Sequence, residues 1–410
     1  MCPPPVGAAA DSRPHRVELA DIVRAHGARY QLTHRLARVQ RAALRAIETC
    51  RTAVHGGHQE TCDRCGAVRV AYHSCRNRHC PKCQTLAKER WLAARRAEFL
   101  PIPYFHLVFT LPHALNALTQ GNPRVIYTLL FRAAADTLLT FGRDPRHLGG
   151  LLGITAILHT WGQTLTQHVH LHCLVTGGAL ARDRSRWIAS RSPGFLFPVR
   201  ALSQVFRAKY LEGLQHAFDR GTLTFADGTA DLGDRSAFTR ALASLRAQDW
   251  VVYAKRPFAG PEQVLEYLGR YTHRVAVSNH RLVSFADGVV RFSWKDYTDH
   301  DRRKVMALPI DEFLRRFLLH IVPTGFMRIR HFGLLANRTR HATLDRCRHL
   351  LHQPSPPAEG VSLSTAALLL QLTGLDLTRC PVCRIGRMGR TVRLAPLRST
   401  PPRPSYPDTS

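Results

Sequence analysis

The sequence predicts a mixed α and β protein, with an α+β or α/β core of a few strands behind a cysteine-rich N-terminal module. Three observations carry this. Six of the 11 cysteines fall between positions 50 and 83. Apolar runs of strand length alternate with helix-periodic runs through the middle of the chain. An Asp-Gly pair, Asp287-Gly288, sits between two alternating runs, which is the signature of a tight hairpin.

The elements follow in order. Residues 1–15 are rich in Pro and Ala and are expected to be disordered. Over 16–50, arginines alternate with Leu32, Leu36, Val39, Leu44 and Ile47 at helical spacing, predicting one or two basic amphipathic helices. The cysteines follow, then a helix from about Gln84 to Phe99. "PYFHLVFTLP" (103–112) is a strand ended by proline, and 121–142 is helical. "GITAILHTWGQ" (153–163) and "HVHLHCLVTGG" (168–178) are two adjacent strands joined by a short polar loop. A helix starts near Arg200, and "DWVVYAKRPFAG" gives a strand before a Gly-Pro break. Pro261 and Glu262 suit the start of a helix through "PEQVLEYLGRYTHR". The Asp-Gly hairpin and a helix in "DEFLRRFLLHIV" complete the core. Residues 353–361, "QPSPPAEGV", form a linker. From Arg384 to Pro407 there are six arginines and no acid, predicting a flexible basic tail. The boundaries read as 1–15 disordered, 16–100 N-terminal helices and cysteine module, 101–350 core, and 351–410 linker and tail.

Charge narrows the function. The net charge is +29, from 58 Lys+Arg against 29 Asp+Glu, and nearly all the cations are arginine. Such a surplus implies a polyanionic partner, and nucleic acid is the usual one. No run of 18 consecutive apolar residues exists, so no membrane span is expected, and the N-terminus lacks the apolar core of a signal peptide. A cytoplasmic, nucleoid-associated protein is expected.

Within "CDRCGAVRVAYHSCRNRHCPKC", Cys62-x2-Cys65 and Cys80-x2-Cys83 lie 14 residues apart. Each pair fits a tight knuckle turn, helped by Gly66 and Pro81, and four thiolates complete a tetrahedron around structural Zn²⁺. A second zinc, drawing on Cys50, His58 and Cys75, is one option for the residues left over. The other is that the spare histidines simply face solvent or DNA. Arg64, Arg76, Arg78 and Lys82 would present charge to phosphates. Cys380-x2-Cys383 resembles half of a further, C-terminal zinc site, with no obvious partner beyond Cys347.

His168, His170 and His172 occupy alternate positions of one strand and so share a face. Two of them, with a carboxamide or imidazole from the preceding strand, could hold one divalent cation that polarises a phosphate oxygen. Gln163 and His159 are the available third ligands. A histidine row is equally able to fill a half-buried surface. Tyr267 and Tyr271 lie at i and i+4 of the predicted helix, where two phenols could reach one phosphate in turn. That spacing also suits a core stripe with Val264 and Leu268.

Taken in order, "GGHQETCDRCG…SCRNRHCPKCQ", "PYFHLVFTLPH", "HTWGQ…HVHLHCLVTGG" and "YLGRYTHRVAVSNHRL" resemble the rolling-circle transposases of the insertion sequence ninety-one family, two-tyrosine HUH enzymes, over residues 30–350 and again at the CPVC pair. The resemblance implies an α+β fold, with an N-terminal zinc domain that recognises DNA and an HUH endonuclease domain whose central antiparallel sheet is flanked by helices. His170-Leu171-His172 map to the HUH motif and imply a catalytic Mg²⁺ or Mn²⁺. Gln163 is the first choice of third ligand and His159 the second. His168 becomes an additional metal or DNA-facing group. Tyr267 and Tyr271 map to the nucleophiles that form a 5′-phosphotyrosine on single-stranded DNA at transposon ends and target. Host replication factors are candidate partners. Arg270, Arg274, Arg328 and Arg330 are candidate phosphate contacts, and Trp161 and Trp294 candidate base-stacking residues. A replication initiator or relaxase would share the histidines and tyrosines without this zinc module. A zinc-dependent regulator would need neither tyrosine. An inactive copy of the element is a third alternative, against which the intact histidines and tyrosines argue.

Overall fold

The computed structural model describes residues 16–397 apart from 97, 193, 195, 227, 259–262, 265–268, 270–275 and 355–363. Its centre is a five-stranded, wholly antiparallel sheet with the order β13-β5-β6-β3-β9. The strands are β3 (Tyr104–Thr110), β5 (Gly153–Trp161), β6 (Gln167–Thr176), β9 (Val252–Phe258) and β13 (Ile329–Gly333). The two strands read as neighbours, β5 and β6, pair directly, and β6 is the middle strand.

Alternation assigns the two faces. Val169, Leu171, Cys173 and Val175 of β6 point into the main core with Phe105, Leu107 and Phe109 of β3. Two helices, Pro123–Arg143 and Val199–Asp219, cover that face. The first is long and apolar enough by composition alone to cross a membrane. Here Ile126, Leu130, Phe131, Ala134 and Leu138 are instead buried in the main core, as expected of a core helix. The opposite face carries the histidines.

A second unit packs beside the β5–β6 hairpin. The Asp-Gly turn is formed as read, with Asp287 and Gly288 both at positive φ, between β10 (Leu282–Ala286) and β11 (Val289–Asp296). β12 (Arg302–Pro309), a strand not expected from the sequence, extends the hairpin to a three-stranded meander. Helices Leu19–Thr33, Arg38–Glu48 and Ile310–Leu318 bury Ile22, Leu44, Ile47, Phe313 and Phe317 against Phe292, Trp161 and Leu165.

The third sheet corrects the reading of the C-terminal end. β14 (Met388–Leu394), expected to be part of a flexible tail, pairs antiparallel with β1 (Gly57–Cys62), which pairs in turn with β2 (Val68–Tyr72). The end of the chain therefore completes the N-terminal cysteine module. β7 (Gly178–Ala181), between β4 (Gly150–Leu151) and β8 (Trp187–Ala189), makes a small fourth sheet. The expected helix after the cysteines begins three residues earlier than read, at Pro81, and runs to Arg96. Residues 1–15 and 398–410 and most of the predicted linker lie outside the described residues.

Burial gives the fold a definite pH response. His79, His320 and His331 are held neutral, their pKa values pulled down to about 3, 4 and 4, first by desolvation. His79 Nε2 accepts a hydrogen bond from the Val322 N–H at 3.3 Å, and His320 Nε2 donates to the Leu165 carbonyl at 3.0 Å. In the unfolded chain these imidazoles titrate near pH 6.5. Unfolding below that pH takes up protons, so stability is flat above about 6.5 and falls as the pH drops toward 4. Each group contributes up to about 1.4 kcal/mol per pH unit within that window. Thermal melts from pH 8 to pH 4.5 should show the midpoint dropping only below about 6.5; a midpoint unchanged down to pH 5 contradicts this assignment.

Candidate functional site

The site is built on the free face of β5 and β6. His159 sits directly opposite His170 in the register, and His172 opposite Ile157, so all three imidazoles share a face. Their ring centroids are 4.8 Å apart for His170 and His172, 5.4 Å for His159 and His170, and 4.5 Å for His159 and His172. One ring nitrogen from each lies within 4.8 Å of the others. The three residues are only 4%, 9% and 8% exposed.

Their neighbours set orientation and protonation. His170 Nδ1 lies 2.8 Å from the His168 carbonyl, which can only accept, so Nδ1 carries the proton and Nε2 keeps a lone pair. Burial pulls His170 down to about 4, leaving it neutral at physiological pH. His172 Nδ1 is 2.9 Å from His106 Nε2 on the neighbouring strand β3. Trp161 stacks on His159 at 4.7 Å. A ring N–H held by a backbone carbonyl, as at His170, is the usual arrangement behind a metal-binding imidazole, while His172 has one nitrogen and His159 one face against a neighbour.

Gln163, the first choice for third ligand, is not brought to this group. β5 ends at Trp161 and Gln163 lies in the turn before β6, so strand alternation does not carry 163 onto the face. Its amide donates to the Tyr297 hydroxyl at 3.0 Å, near the surface. His159 is the residue that joins His170 and His172 in the group of three. His168 lies one step further along the row, with its ring 4.8 Å from His170 and 5.4 Å from His113, outside the group of three.

Tyr267 and Tyr271, with Arg270 and Arg274, lie outside the described residues. Two described residues of the same segment are informative. Val264 is helical and fully buried in one apolar cluster with Ile157 and Leu174, which flank His172 on the histidine face. Gly269 is also helical and approaches Leu92 so closely that a Cβ would lie 2.9 Å from it. Val264 is thus held on the histidine face and Gly269 against Leu92.

Three further residues were given no role by the sequence alone. His106 stood inside a quoted motif without a role. Tyr253 and Lys255 of β9 face the same side, because Tyr253 pairs with Val108, itself paired with His172, and Lys255 pairs with His106. Tyr253 is 52% exposed. Their alternation was visible in "VVYAK", but nothing in the sequence says that β9 joins the edge beside β3.

Four of the other candidate DNA-contacting side chains are engaged within the protein. The Arg330 guanidinium lies over Phe131 and Phe326, at 4.4 and 4.9 Å from their centroids. Burial lowers Arg328 to about 10. Arg78 donates to the carbonyls of Pro323, at 2.6 Å, and Phe326, and Lys82 pairs with Glu18. Trp161 belongs to the second core and Trp294 packs against it.

The cysteines regroup. The expected set of Cys62, Cys65, Cys80 and Cys83 is split between two clusters. Cys80 and Cys83 join Cys50 and Cys75, with Sγ separations of 3.7 Å for Cys50–Cys83 and 3.6 Å for Cys75–Cys83. Cys62 and Cys65 join Cys380 and Cys383. His58, once grouped with Cys50 and Cys75, pairs instead with Glu60 at 3.0 Å. A ZnS₄ tetrahedron with ~2.3 Å bonds has edges of about 3.7–3.8 Å, whereas a disulfide is about 2.05 Å. The observed separations are tetrahedron edges. Cys50 is lowered to about 6, first by the hydrogen bond from Cys75, while Cys80 is pushed far up by its three neighbours. Four adjacent thiols cannot all ionise without a cation among them, and a divalent one relieves that conflict.

A sheet that gathers three imidazoles on one face, tied to a cysteine-clustered module in a strongly basic chain, fits a metal-binding protein that acts on nucleic acid. Residues 22–111 match the family model for a transposase zinc-binding domain, and residues 153–342 match one described as "Putative transposase". The protein "Putative transposase y4qJ" of Sinorhizobium fredii is 54% identical over 374 residues, 90% of this chain and 94% of its own length. The transposase for insertion sequence element IS801 of Pseudomonas savastanoi pv. phaseolicola is 28% identical over 340 residues, 82% of this chain and 79% of its own. A structure of the conjugative relaxase TrwC in complex with oriT DNA aligns over 41% of this chain and 71% of its own, at 17% identity and a TM-score of 0.23, a superposition too loose to transfer anything. The chain belongs to the IS91 family of rolling-circle transposases.

Proposed function

We propose that the chain nicks and rejoins single-stranded DNA at transposon ends through a 5′-phosphotyrosine on Tyr267 or Tyr271, with a divalent cation at His159, His170 and His172. The observation that carries this reading is the convergence of three buried imidazoles on a face where Val264, three residues before Tyr267, is also buried. The donor set fits a cation, and an all-imidazole set suits Mn²⁺ or another transition ion better than Mg²⁺, which prefers oxygen. When bound there, such an ion supplies charge stabilisation at the scissile phosphate.

The chain's own residues do the rest. A phenol oxygen attacks phosphorus, the bond to the 3′ oxygen breaks, and the phenol proton ends on the leaving 3′-OH. Rejoining is the reverse, and the covalent link conserves the bond energy. The second tyrosine can open another strand while the first link persists. Tyr253 and Lys255 line the same face at its edge and suit the flanking strand, one stacking a base and the other meeting a phosphate. Host replication then regenerates the displaced strand on the nucleoid.

The test is incubation of the full chain with labelled single-stranded DNA of the element's ends, with and without Mn²⁺. An adduct that survives denaturation should map to Tyr267 or Tyr271 and vanish in the double Phe variant. In the same assay Tyr253→Ala should weaken binding roughly 5- to 100-fold, the loss expected for one stacked base. If no adduct forms with any metal or end sequence, the chain is a DNA-binding regulator. If nicking occurs without transfer of a donor end, it acts as an initiator or relaxase.

A further inference from the structure

We infer that Cys62, Cys65, Cys380 and Cys383 hold a structural zinc ion of their own, a clasp that fastens the end of the chain onto its N-terminal module. The matched zinc-binding domain model stops at residue 111 and contains only the first half of this ligand set.

The two halves are built alike. In each C-x2-C knuckle the residue after the second cysteine is left-handed, Gly66 at φ +68° and Arg384 at φ +58°. Its N–H donates to the carbonyl of the first cysteine, from Gly66 to Cys62 at 3.2 Å and from Arg384 to Cys380 at 3.0 Å. Backbone N–H groups also point at sulfur, from Arg64 to Cys62 at 3.4 Å and from Gly386 to Cys383 at 3.3 Å.

The knuckles face each other. Cys62 Sγ is 3.7 Å from Cys383 Sγ and Cys65 Sγ is 3.7 Å from Cys380 Sγ, both edges of a ZnS₄ tetrahedron. Backbone bonds lock the approach: Asp63 N–H donates to the Arg387 carbonyl at 3.1 Å, and Arg387 N–H donates to Asp63 Oδ1 at 2.8 Å. Gly386 lies so close that an added Cβ would collide with Cys62 Sγ and sit 2.7 Å from Asp63 Oδ1. β14 then leaves the second knuckle and pairs with β1, Met388 opposite Cys62. Two of the four ligands follow the other two by more than 300 residues, so the site closes only after both segments have been made.

The experiment counts thiolate-held zinc in the full-length protein, releasing it with a thiol-specific mercurial and reading it with a metallochromic dye. Zinc held by imidazoles is not released this way. Wild type should yield two zinc ions per chain, and the Cys380→Ser, Cys383→Ser double variant one. Gly386→Ala, which removes no ligand, should also lose the second ion, and in both variants the segment after Ser364 should become readily cleaved by protease. Because a serine variant can misfold, Co²⁺ titration of metal-free wild type gives an independent count: two equivalents of tetrathiolate Co²⁺ support the clasp. A single thiolate-held metal in wild type, or two retained in the double variant, overturns it. None of these readouts depends on DNA cleavage.

Discussion

His159→Ala is expected to abolish metal-dependent DNA cleavage, by at least a hundredfold, while Gln163→Ala leaves it within about threefold. The contrast follows from the register. His159 is paired with His170 and points into the group of three, whereas Gln163 lies in the turn after β5 and binds Tyr297 near the surface. Losing a ligand removes the cation's contribution to charge stabilisation. Losing Gln163 removes one neutral hydrogen bond, worth about 1 kcal/mol of stability at most. His159 also carries the Trp161 stack, so a melting curve and an Mn²⁺ titration should accompany the rates. The expected result is weakened Mn²⁺ binding with a modest loss of thermal stability. His106→Ala should fall between the two, about 10- to 100-fold, because it acts only by orienting His172. Cleavage that survives His159→Ala but not Gln163→Ala would return the third ligand to the carboxamide.

The alternation in "HVHLHCLV" was enough to place three imidazoles on one face, because the β period of two leaves no other choice once the strand is granted. The Asp287-Gly288 turn was equally legible, since few sequences tolerate positive φ at both positions. Gln163 was misplaced because β5 ends at Trp161 and leaves it in the turn, and the last residue of a strand leaves little mark in composition. C-x2-C spacing announced zinc but could not choose partners. Proximity in sequence suggested Cys62/Cys65 with Cys80/Cys83, while chain reversal brings in Cys380/Cys383 across more than 300 residues. β14 was hidden for the same reason: its arginines and lack of acid read as a solvated tail, and only pairing with β1 makes it a strand.

Cys80→Ser should be the most damaging single change outside the histidine group. Cys80 and Cys50 are almost wholly buried in the second core, with Leu44, Ile47 and Phe313. Their cluster joins the end of helix Arg38–Glu48 to the first turn of helix Pro81–Arg96. Structural zinc contributes of order ten kcal/mol to folding in small modules, and even half of that exceeds what one core side chain supplies. Losing it also frees His79 and Arg78, which fix the knuckle to Val322, Pro323 and Phe326. The same core holds Trp161, the backing of His159, so damage should reach the imidazoles without touching them. The expected outcome is one thiolate-held zinc fewer, a melting midpoint lower by roughly 10 °C or more, and loss of both DNA binding and cleavage. His170→Ala offers the contrast, with cleavage lost, both thiolate-held zinc ions retained and a midpoint close to wild type. A Cys80→Ser protein that melts with wild type would mean that the second core holds these helices without the metal, and that the cluster serves the DNA surface instead.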